Sequence, residues 1–332
     1  MPQLRRDPFT RSWVIIAPER ADRPLQMPAA QNRAAPTDPQ CPFCPGREAS
    51  TPPELWRLPG PAGDWTVRVV PNRYPILTLG DRPARHYTEG LFTHADATGH
   101  HEVVIESPRH DWDLPDGDDA AVTAVLHAYR ARAQMLRVRR PGVVLPFRNH
   151  GAAAGTSLPH PHSQIVATPI VPARQRELFD VARGYYDDHA SCLYVDVTDA
   201  ELADGRRLVA TGEHVVAYAP YAARTPYETW LMPRVHAASF ADTTDEVLAE
   251  TAALLRRVLA GLRELLGDVP YNYVLISASN GEEDTEYFLW HIQILPRLVE
   301  TAGFELGSGM AVNPVPPEDA ATRLRKAVAE VA

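Results

Sequence analysis

Residues 151–172 read GAAAGTSLPHPHSQIVATPIVP, and both the fold and the chemistry are read outward from them. At the centre, His160, His162 and Gln164 alternate with Pro161 and Ser163, directly ahead of the apolar, β-branched run Ile165-Val166. In extended backbone alternate residues share a face, so the spacing predicts three polar side chains turned to one side at the start of a strand. The loop ahead is built of Gly, Ala, Ser and Thr, small enough to let another backbone or a phosphate approach closely. A lone histidine is most often a hydrogen-bonded structural residue. Two in alternating register, with an amide in step, point to a site.

Upstream of this stretch, residues 143–149 (VVLPFRN) predict a strand, and residues 116–140 a helix carrying Val122, Val125, Leu126, Tyr129, Ala133 and Leu136 on one face, stopped by Pro141-Gly142. Before the helix come strand candidates at 65–71 and 101–107, and earlier one short strand, Trp13-Val-Ile-Ile-Ala17. Downstream, after a connecting region at 173–212, the same order returns: strands at 214–220 and 228–236, a helix over 244–266, then strands at 273–277 and 288–295. Thr243 and Glu246 are spaced as a capping box for that helix and Gly267 as its stop. His162-Ser-Gln-Ile165 lines up with His291-Ile-Gln-Ile294. The chain is therefore an internal duplication of a unit of about 100 residues, with domains expected at 1–172 and 173–332. Only the first copy has paired histidines and the small-residue loop, so the second reads as scaffold or as a contributor to the first site. The closing segment, 302–309 and a helix from Pro317, reads as a lid or a C-terminal cap.

Cys41-Pro-Phe-Cys44 has the two-residue spacing that lets one tight turn aim two thiolates at a metal, but it is half a site. His110, in Ser107-Pro-Arg-His110, and His160 offer the other half, giving a tetrahedral Cys41, Cys44, His110, His160 set that would tie the N-terminal arm to the loop carrying His162. A redox pair would want a βαβ start that the Pro-rich flanks do not supply. Cys192 stands alone as a small apolar residue. Arg20 and Arg23 are equally readable as phosphate or base contacts and as solvated loop arginines.

At 332 residues the chain can bury a substantial core. Its 33 basic and 42 acidic residues, net −9 with no sustained run of either sign, argue against nucleic acid or a membrane surface as partner. No apolar run is long enough to span a bilayer and the N-terminus lacks a signal-like apolar region, so a cytoplasmic protein is expected. The 32 prolines, dense between Pro24 and Pro75, predict long connecting loops.

With these motifs in hand, the sequence resembles the galactose-1-phosphate uridylyltransferase family, a branch of the histidine-triad superfamily, from Leu4-Arg-Arg-Asp-Pro8 to the last helix. The resemblance implies an α/β (α+β) fold of duplicated half-barrel-like units, antiparallel sheets with a helix on each, related by a pseudo-twofold axis. It implies double-displacement nucleotidyl transfer, in which His162 attacks the α-phosphorus of a nucleotide sugar, releases a sugar 1-phosphate and holds the nucleotide as a phosphoramidate. Neutral imidazole suits this role because it is nucleophilic near neutral pH without a separate base, and a backbone carbonyl is a usual partner for its other nitrogen. Gln164 is then placed to donate to a phosphoryl oxygen. By family motif Asn149, Gly155 and Ser157 line the phosphate loop, Asn72, Tyr74 and Phe43 lie near the nucleoside, Phe304 and Glu305 belong to the sugar-binding tail, and Cys41, Cys44, His110 and His160 hold structural zinc.

Two departures bear on substrate. Gln293 stands where the family's second metal site has a histidine and Ser277-Ala-Ser279 offers none upstream, so no second metal is expected, with Glu177 and His291 as its remnant. Small residues in 303–309 replace longer polar ones, and Trp290-His-Ile-Gln-Ile-Leu-Pro296 is nearer the family's ADP-sugar phosphorylases than its UDP-glucose and galactose 1-phosphate exchangers. Phe43 and Asn72 suit either base. The resemblance also suggests a homodimer whose partner subunit completes the sugar pocket. A non-catalytic zinc-containing nucleotide-binding protein would not call for His162, Gln164 and Ser157 together.

Overall fold

The computed structural model describes residues 1–22, 38–60, 63–80, 85–137 and 142–331. Arg23 and the end of the first helix with its Pro141 stop lie outside the described residues. In chain order the elements begin with β1 (Gln3–Arg6), β2 (Trp13–Ile16), β3 (Trp56–Pro59), β4 (Trp65–Pro71), β5 (Thr78–Leu79), β6 (His86–Glu89), β7 (Phe92–Ala95) and β8 (Thr98–Ile105). Then come α1 (Asp119–Arg137), β9 (Val143–His150), β10 (His162–Thr168), α2 (Ala173–His189), α3 (Leu193–Asp204), β11 (Leu208–Thr211), β12 (Val215–Tyr218) and β13 (Thr229–Pro233). The chain closes with α4 (Asp245–Leu266), β14 (Tyr271–Ile276), β15 (His291–Pro296), α5 (Gly303–Ser308), β16 (Ala311–Asn313) and α6 (Pro317–Glu330).

One large sheet runs β11-β12-β13-β15-β14-β9-β10-β8-β4-β3, with every step antiparallel and β5 added in parallel beside β8. Its order reads the same from either end: β3, β4, β8, β10 and β9 are answered by β11, β12, β13, β15 and β14. The duplication seen in the sequence is thus a pseudo-twofold in space, and the two half-sheets are continuous. They join where β9 meets β14, with His150 opposite Tyr271 and Asn149 opposite Asn272. Each strand would otherwise end its own sheet with unpaired N–H and C=O groups, and pairing with the other satisfies both. A smaller sheet of β1, β2 and β16 and the β6–β7 hairpin lie apart from this path.

Strand alternation sorts side chains onto two faces. On one, Val104, Val144, Ile165, Leu231, Tyr273, Leu275 and Ile292 pack with Val122 and Tyr129 of α1, Leu248, Leu255 and Val258 of α4, and Leu324 of α6. Each fully buried aliphatic chain there contributes about 1.5–3 kcal/mol. On the other face the second copy is covered by Leu178 and Phe179 of α2, Tyr194 of α3 and Phe9, whereas the first copy keeps His162 and Gln164. The stretch 173–212, expected as a connection, is therefore two helices and a strand. With apolar positions at Leu178, Phe179, Val181 and Ala182, α2 supplies the lid that the second half-sheet needs. The α4 cap also sits one residue later than the spacing predicted. Thr244 accepts the Val247 N–H at 3.4 Å, because Thr243 is used in closing the preceding 3₁₀ turn on Phe240. Among the described residues no helix is long and apolar enough to cross a membrane.

One buried ion pair ties α1 to the sheet. Arg132 forks onto Glu102 of β8 with bonds of 2.7 and 2.8 Å, and both side chains are almost wholly out of solvent. Removing one partner of such a pair leaves a buried charge without compensation. Arg132→Leu is expected to lower the unfolding free energy in a urea titration by about 3–5 kcal/mol; an unchanged midpoint would mean that Glu102 has other means of discharge.

Candidate active site and metal centre

The loop between β9 and β10 folds on itself before it delivers the histidines. Residues Ala152–Ala154 form a 3₁₀ turn opened by Gly151 and closed by Gly155 at φ +95°, a left-handed conformation that a side chain would oppose. Thr156 donates its hydroxyl to the Asn149 carbonyl, and Asn149 Oδ1 accepts from Asn272 Nδ2 at 2.8 Å. Asn272 also reaches the Ala154 carbonyl at 2.9 Å, so a residue of the second copy pins the loop of the first. Ser157 is exposed on the same loop.

Extended register begins only at His162; His160 lies in the bend before it and is buried. Its Nε2 donates to the Ser107 carbonyl at 2.9 Å, so the proton sits there and Nδ1 carries a lone pair. That Nδ1 stands 3.2 Å from His110 Nδ1 and 3.6 Å from Cys44 Sγ, and Cys44 Sγ is 3.3 Å from His110 Nδ1. With Cys41 the four ligand atoms lie within 4.8 Å of one another. Bonds of about 2.0–2.3 Å in a tetrahedron put neighbouring ligand atoms roughly 3.3–3.8 Å apart, so these residues fit a metal ion. Burial, helped by the adjacent Cys44, pushes the Cys41 thiol up to about 11, and burial drives His160 down to about 4. Two imidazole nitrogens and two thiols converging on one point form a donor set that a cation at their centre would satisfy.

His162 is positioned by its neighbour. Its Nδ1 donates to the His160 carbonyl at 2.8 Å, which leaves Nε2 unprotonated and free, and the Phe43 ring lies against it at 5.5 Å between centroids. Burial lowers its pKa, a nearby Arg148 acting in the same direction, so the ring is neutral near neutral pH. Gln164 follows on the same face and accepts at Oε1 from His101 Nε2 at 2.6 Å. Asn72, just after β4, bonds through its backbone N–H to the His101 carbonyl at 2.8 Å and accepts the Tyr74 N–H at Oδ1, with the Tyr74 ring exposed. A cavity of about 200 Å³ opens beside His162, Asn149 and Gly151.

Phe304 and Glu305 are not brought to this cavity within one chain. They lie on α5, where Glu305 caps its own helix by accepting the Ala302 N–H and Phe304 is half exposed. Glu177 is exposed on α2, while His291 is fully buried with Nδ1 on the Leu289 carbonyl and Nε2 against Gln293.

Sequence reading missed His101, whose only signal was its place at the start of a strand, and the network behind the loop. In that network Arg148 bonds to Glu106 and Asp113, and His150 to Asp268 at 2.7 Å. Burial disfavours the charge of Asp113, but Arg148 and His150 outweigh it and hold the carboxyl below its ordinary range. Asp268 bonds to His150 Nε2 at 2.7 Å, whereas Asp113 stays 3.8 Å from Nδ1, which faces the Arg148 guanidinium at 3.4 Å.

Fold and site together define an enzyme built on a duplicated α+β unit, in which the histidine–glutamine pair of the first copy borders a cavity and that of the second is buried. Residues 1–172 match the family description "Galactose-1-phosphate uridyl transferase, N-terminal domain" and residues 178–331 the corresponding C-terminal domain. The ADP-glucose phosphorylase of Arabidopsis thaliana is 34% identical over 98% of this chain and 93% of its own length. The galactose-1-phosphate uridylyltransferase of Thermotoga maritima is 29% identical over the whole of both chains. The crystal structure of the Arabidopsis thaliana ADP-glucose phosphorylase with bound ADP-glucose superposes with a TM-score of 0.83 at 33% identity, covering 98% of this chain and 99% of that one. A uridylyltransferase structure superposes at 0.76 with 31% identity over 99% of each. The chain belongs to the galactose-1-phosphate uridyl transferase family and is a nucleotidyltransferase of that family.

Elemental analysis of the purified protein is expected to find one metal ion per chain. Cys44→Ser should lose most of it together with thermal stability, and His162→Asn should keep it; metal loss in His162→Asn would mean that the two histidines have exchanged roles.

Proposed function

We propose that this enzyme moves a nucleoside monophosphate between a nucleotide sugar and a phosphate acceptor through a covalent intermediate on His162. The observation that carries this reading is that the His162 Nδ1 is held by the His160 carbonyl, so that Nε2 presents a lone pair beside Gln164. In the first step that lone pair attacks the α-phosphorus, a P–N bond forms, the bond to the bridging oxygen breaks, and sugar 1-phosphate leaves. The positive charge that builds on the ring is met through Nδ1–H and the carbonyl, and the Gln164 amide donates to a phosphoryl oxygen. In the second step a phosphate oxygen of the acceptor attacks the same phosphorus, the P–N bond breaks, and the ring returns to neutral. Asn149, Gly155 and Ser157 bind the phosphates, and Phe43, Asn72 and Tyr74 take the nucleoside.

Cys41, Cys44, His110 and His160 hold zinc, whose contribution when bound is structural: it fixes the His160 backbone from which His162 hangs. The units at 1–172 and 173–332 divide the work between site and support. A partner subunit's α5, with Phe304 and Glu305, completes the sugar pocket in a homodimer.

The likeness to ADP-glucose phosphorylase supports an ADP-sugar as donor and inorganic phosphate as acceptor, giving ADP and sugar 1-phosphate. The second reading, UDP-glucose with galactose 1-phosphate, is favoured by the match to the uridylyltransferases along the whole chain and keeps every residue role. Intact-mass measurement after incubation with ADP-glucose is expected to show a covalent AMP adduct, absent from His162→Asn and discharged by phosphate. A UMP adduct from UDP-glucose discharged by galactose 1-phosphate would establish the second reading. No adduct from either sugar would overturn the covalent mechanism.

A further inference from the structure

The catalytic amide of Gln164 can help only if its NH₂ end, and not its oxygen, faces the transferring phosphoryl group. Nothing in the Gln164 side chain itself decides that orientation. It is decided by His101, two positions along β8 from the residue opposite Gln164, since Val103 pairs with Gln164 and His101 with Val166.

The tautomer of His101 follows from a group that cannot flip. The backbone N–H of Ile76 donates to His101 Nδ1 at 3.1 Å, so Nδ1 is an acceptor and the ring proton sits on Nε2. Nε2–H then donates to Gln164 Oε1 at 2.6 Å, and the NH₂ is left as the free end of the amide. The Asn72 amide nitrogen lies 3.1 Å from the same Nε2 with its Oδ1 committed to the Tyr74 N–H, so one donor faces Nε2–H there; that single mismatch is outweighed by the 2.6 Å bond to Gln164 Oε1 and by the Ile76 N–H on Nδ1. The reverse tautomer would bring two donors together at Ile76 and strand the Gln164 oxygen.

The duplicated half supplies an internal comparison. Gln293 occupies the place of Gln164, and its Oε1 accepts from Arg224 at 3.2 Å. With its oxygen held from behind, its NH₂ stands 3.0 Å from Nε2 of His291, the nitrogen that corresponds to the reacting one in the first copy. A donor holds the amide oxygen in both halves, an arginine in one and a histidine in the other, and in the second copy the NH₂ is thereby turned to the histidine.

We propose that His101 is a positioning residue for the nucleotidyl transfer, fixing Gln164 with its NH₂ toward the α-phosphoryl group. It also joins this amide to the loop 72–76, which is anchored on the same residue twice, by Asn72 N–H on the His101 carbonyl and by Ile76 N–H on its ring. A nucleoside that orders this loop therefore also sets the amide that serves its phosphate.

This inference rests on the covalent mechanism proposed above, and the test separates the two. Wild-type protein, His101→Phe and His101→Gln are mixed with ADP-glucose or UDP-glucose, whichever labels the wild type, and adduct formation is followed by rapid quench and intact mass. His101→Phe is expected to slow adduct formation at saturating sugar roughly 10- to 100-fold, the range found when an orienting partner behind a reacting group is removed. Its metal content and melting temperature should stay near wild type. His101→Gln, which keeps an N–H donor for the Gln164 oxygen, should recover most of the rate. In the Gln164→Ala background His101→Phe should slow the step no further. Long-range ¹⁵N–¹H correlation spectra should show His101 protonated on Nε2. A wild-type adduct formed as fast by His101→Phe, or a His101 ring protonated on Nδ1, would overturn the role given to His101. Absence of adduct in the wild type would overturn the covalent mechanism instead.

Discussion

The hydrogen bond from His162 Nδ1–H to the carbonyl of His160 is the contact on which the site depends. An imidazole has two nitrogens, and only one can be a nucleophile in a given tautomer. A carbonyl two residues back settles the choice without any further side chain. That carbonyl must itself be still, and two constraints hold it: the His160 ring is fixed by the Ser107 carbonyl on one nitrogen and by the cysteine–histidine cluster on the other. A metal ion held by that cluster would therefore bear on the proposed chemistry through backbone placement.

The second copy shows that this local geometry does not by itself make an open site. His291 makes the same bond to the Leu289 carbonyl at 3.0 Å and has a glutamine two residues on. What differs is the ground above it. Trp230 stacks on the His291 ring at 4.9 Å between centroids, with Tyr194 and Phe288 against its other sides, and burial drives its pKa down to about 4. Helices α2 and α3 and the segment at Phe9 close this face, while the equivalent face of the first copy carries the Cys41–Cys44 turn with Phe43 and a loop rich in small residues. One half became an enclosed core and the other a site, from the same strand order.

How much of this was legible in the sequence follows the range of the interactions involved. The histidine–glutamine motif, the Cys41–Cys44 pair and the repeated strand–helix unit were readable because each rests on spacing within a few residues or on a period repeated along the chain; that His110 and His160 join the two cysteines is a matter of tertiary structure. The α4 cap was misplaced by one residue because the role of Thr243 is fixed by the preceding turn. The helices at 173–204 were missed because the apolar face of α2 is short and has meaning only against a half-sheet that needs a cover. His101 and Asn272 could not be found locally at all. Each acts on the loop or the amide through a cross-strand neighbour about 60 or more residues away in sequence, and register is what a lone sequence specifies least directly.

The fused sheet explains why the second copy persists though its own histidine is sealed. If β14 were absent, β9 would be an edge strand, and its end carries Asn149, His150 and the start of the phosphate loop. Edge strands fray and twist, whereas a loop that held phosphate against Nε2, as proposed, would need its base fixed closely. Pairing with β14 makes β9 central, and Asn272 then extends from β14 to hold both Asn149 and the Ala154 carbonyl. The second half thus supports the histidine-bearing loop of the first through main-chain pairing and one amide, which is a smaller and more exacting demand than keeping a second open site.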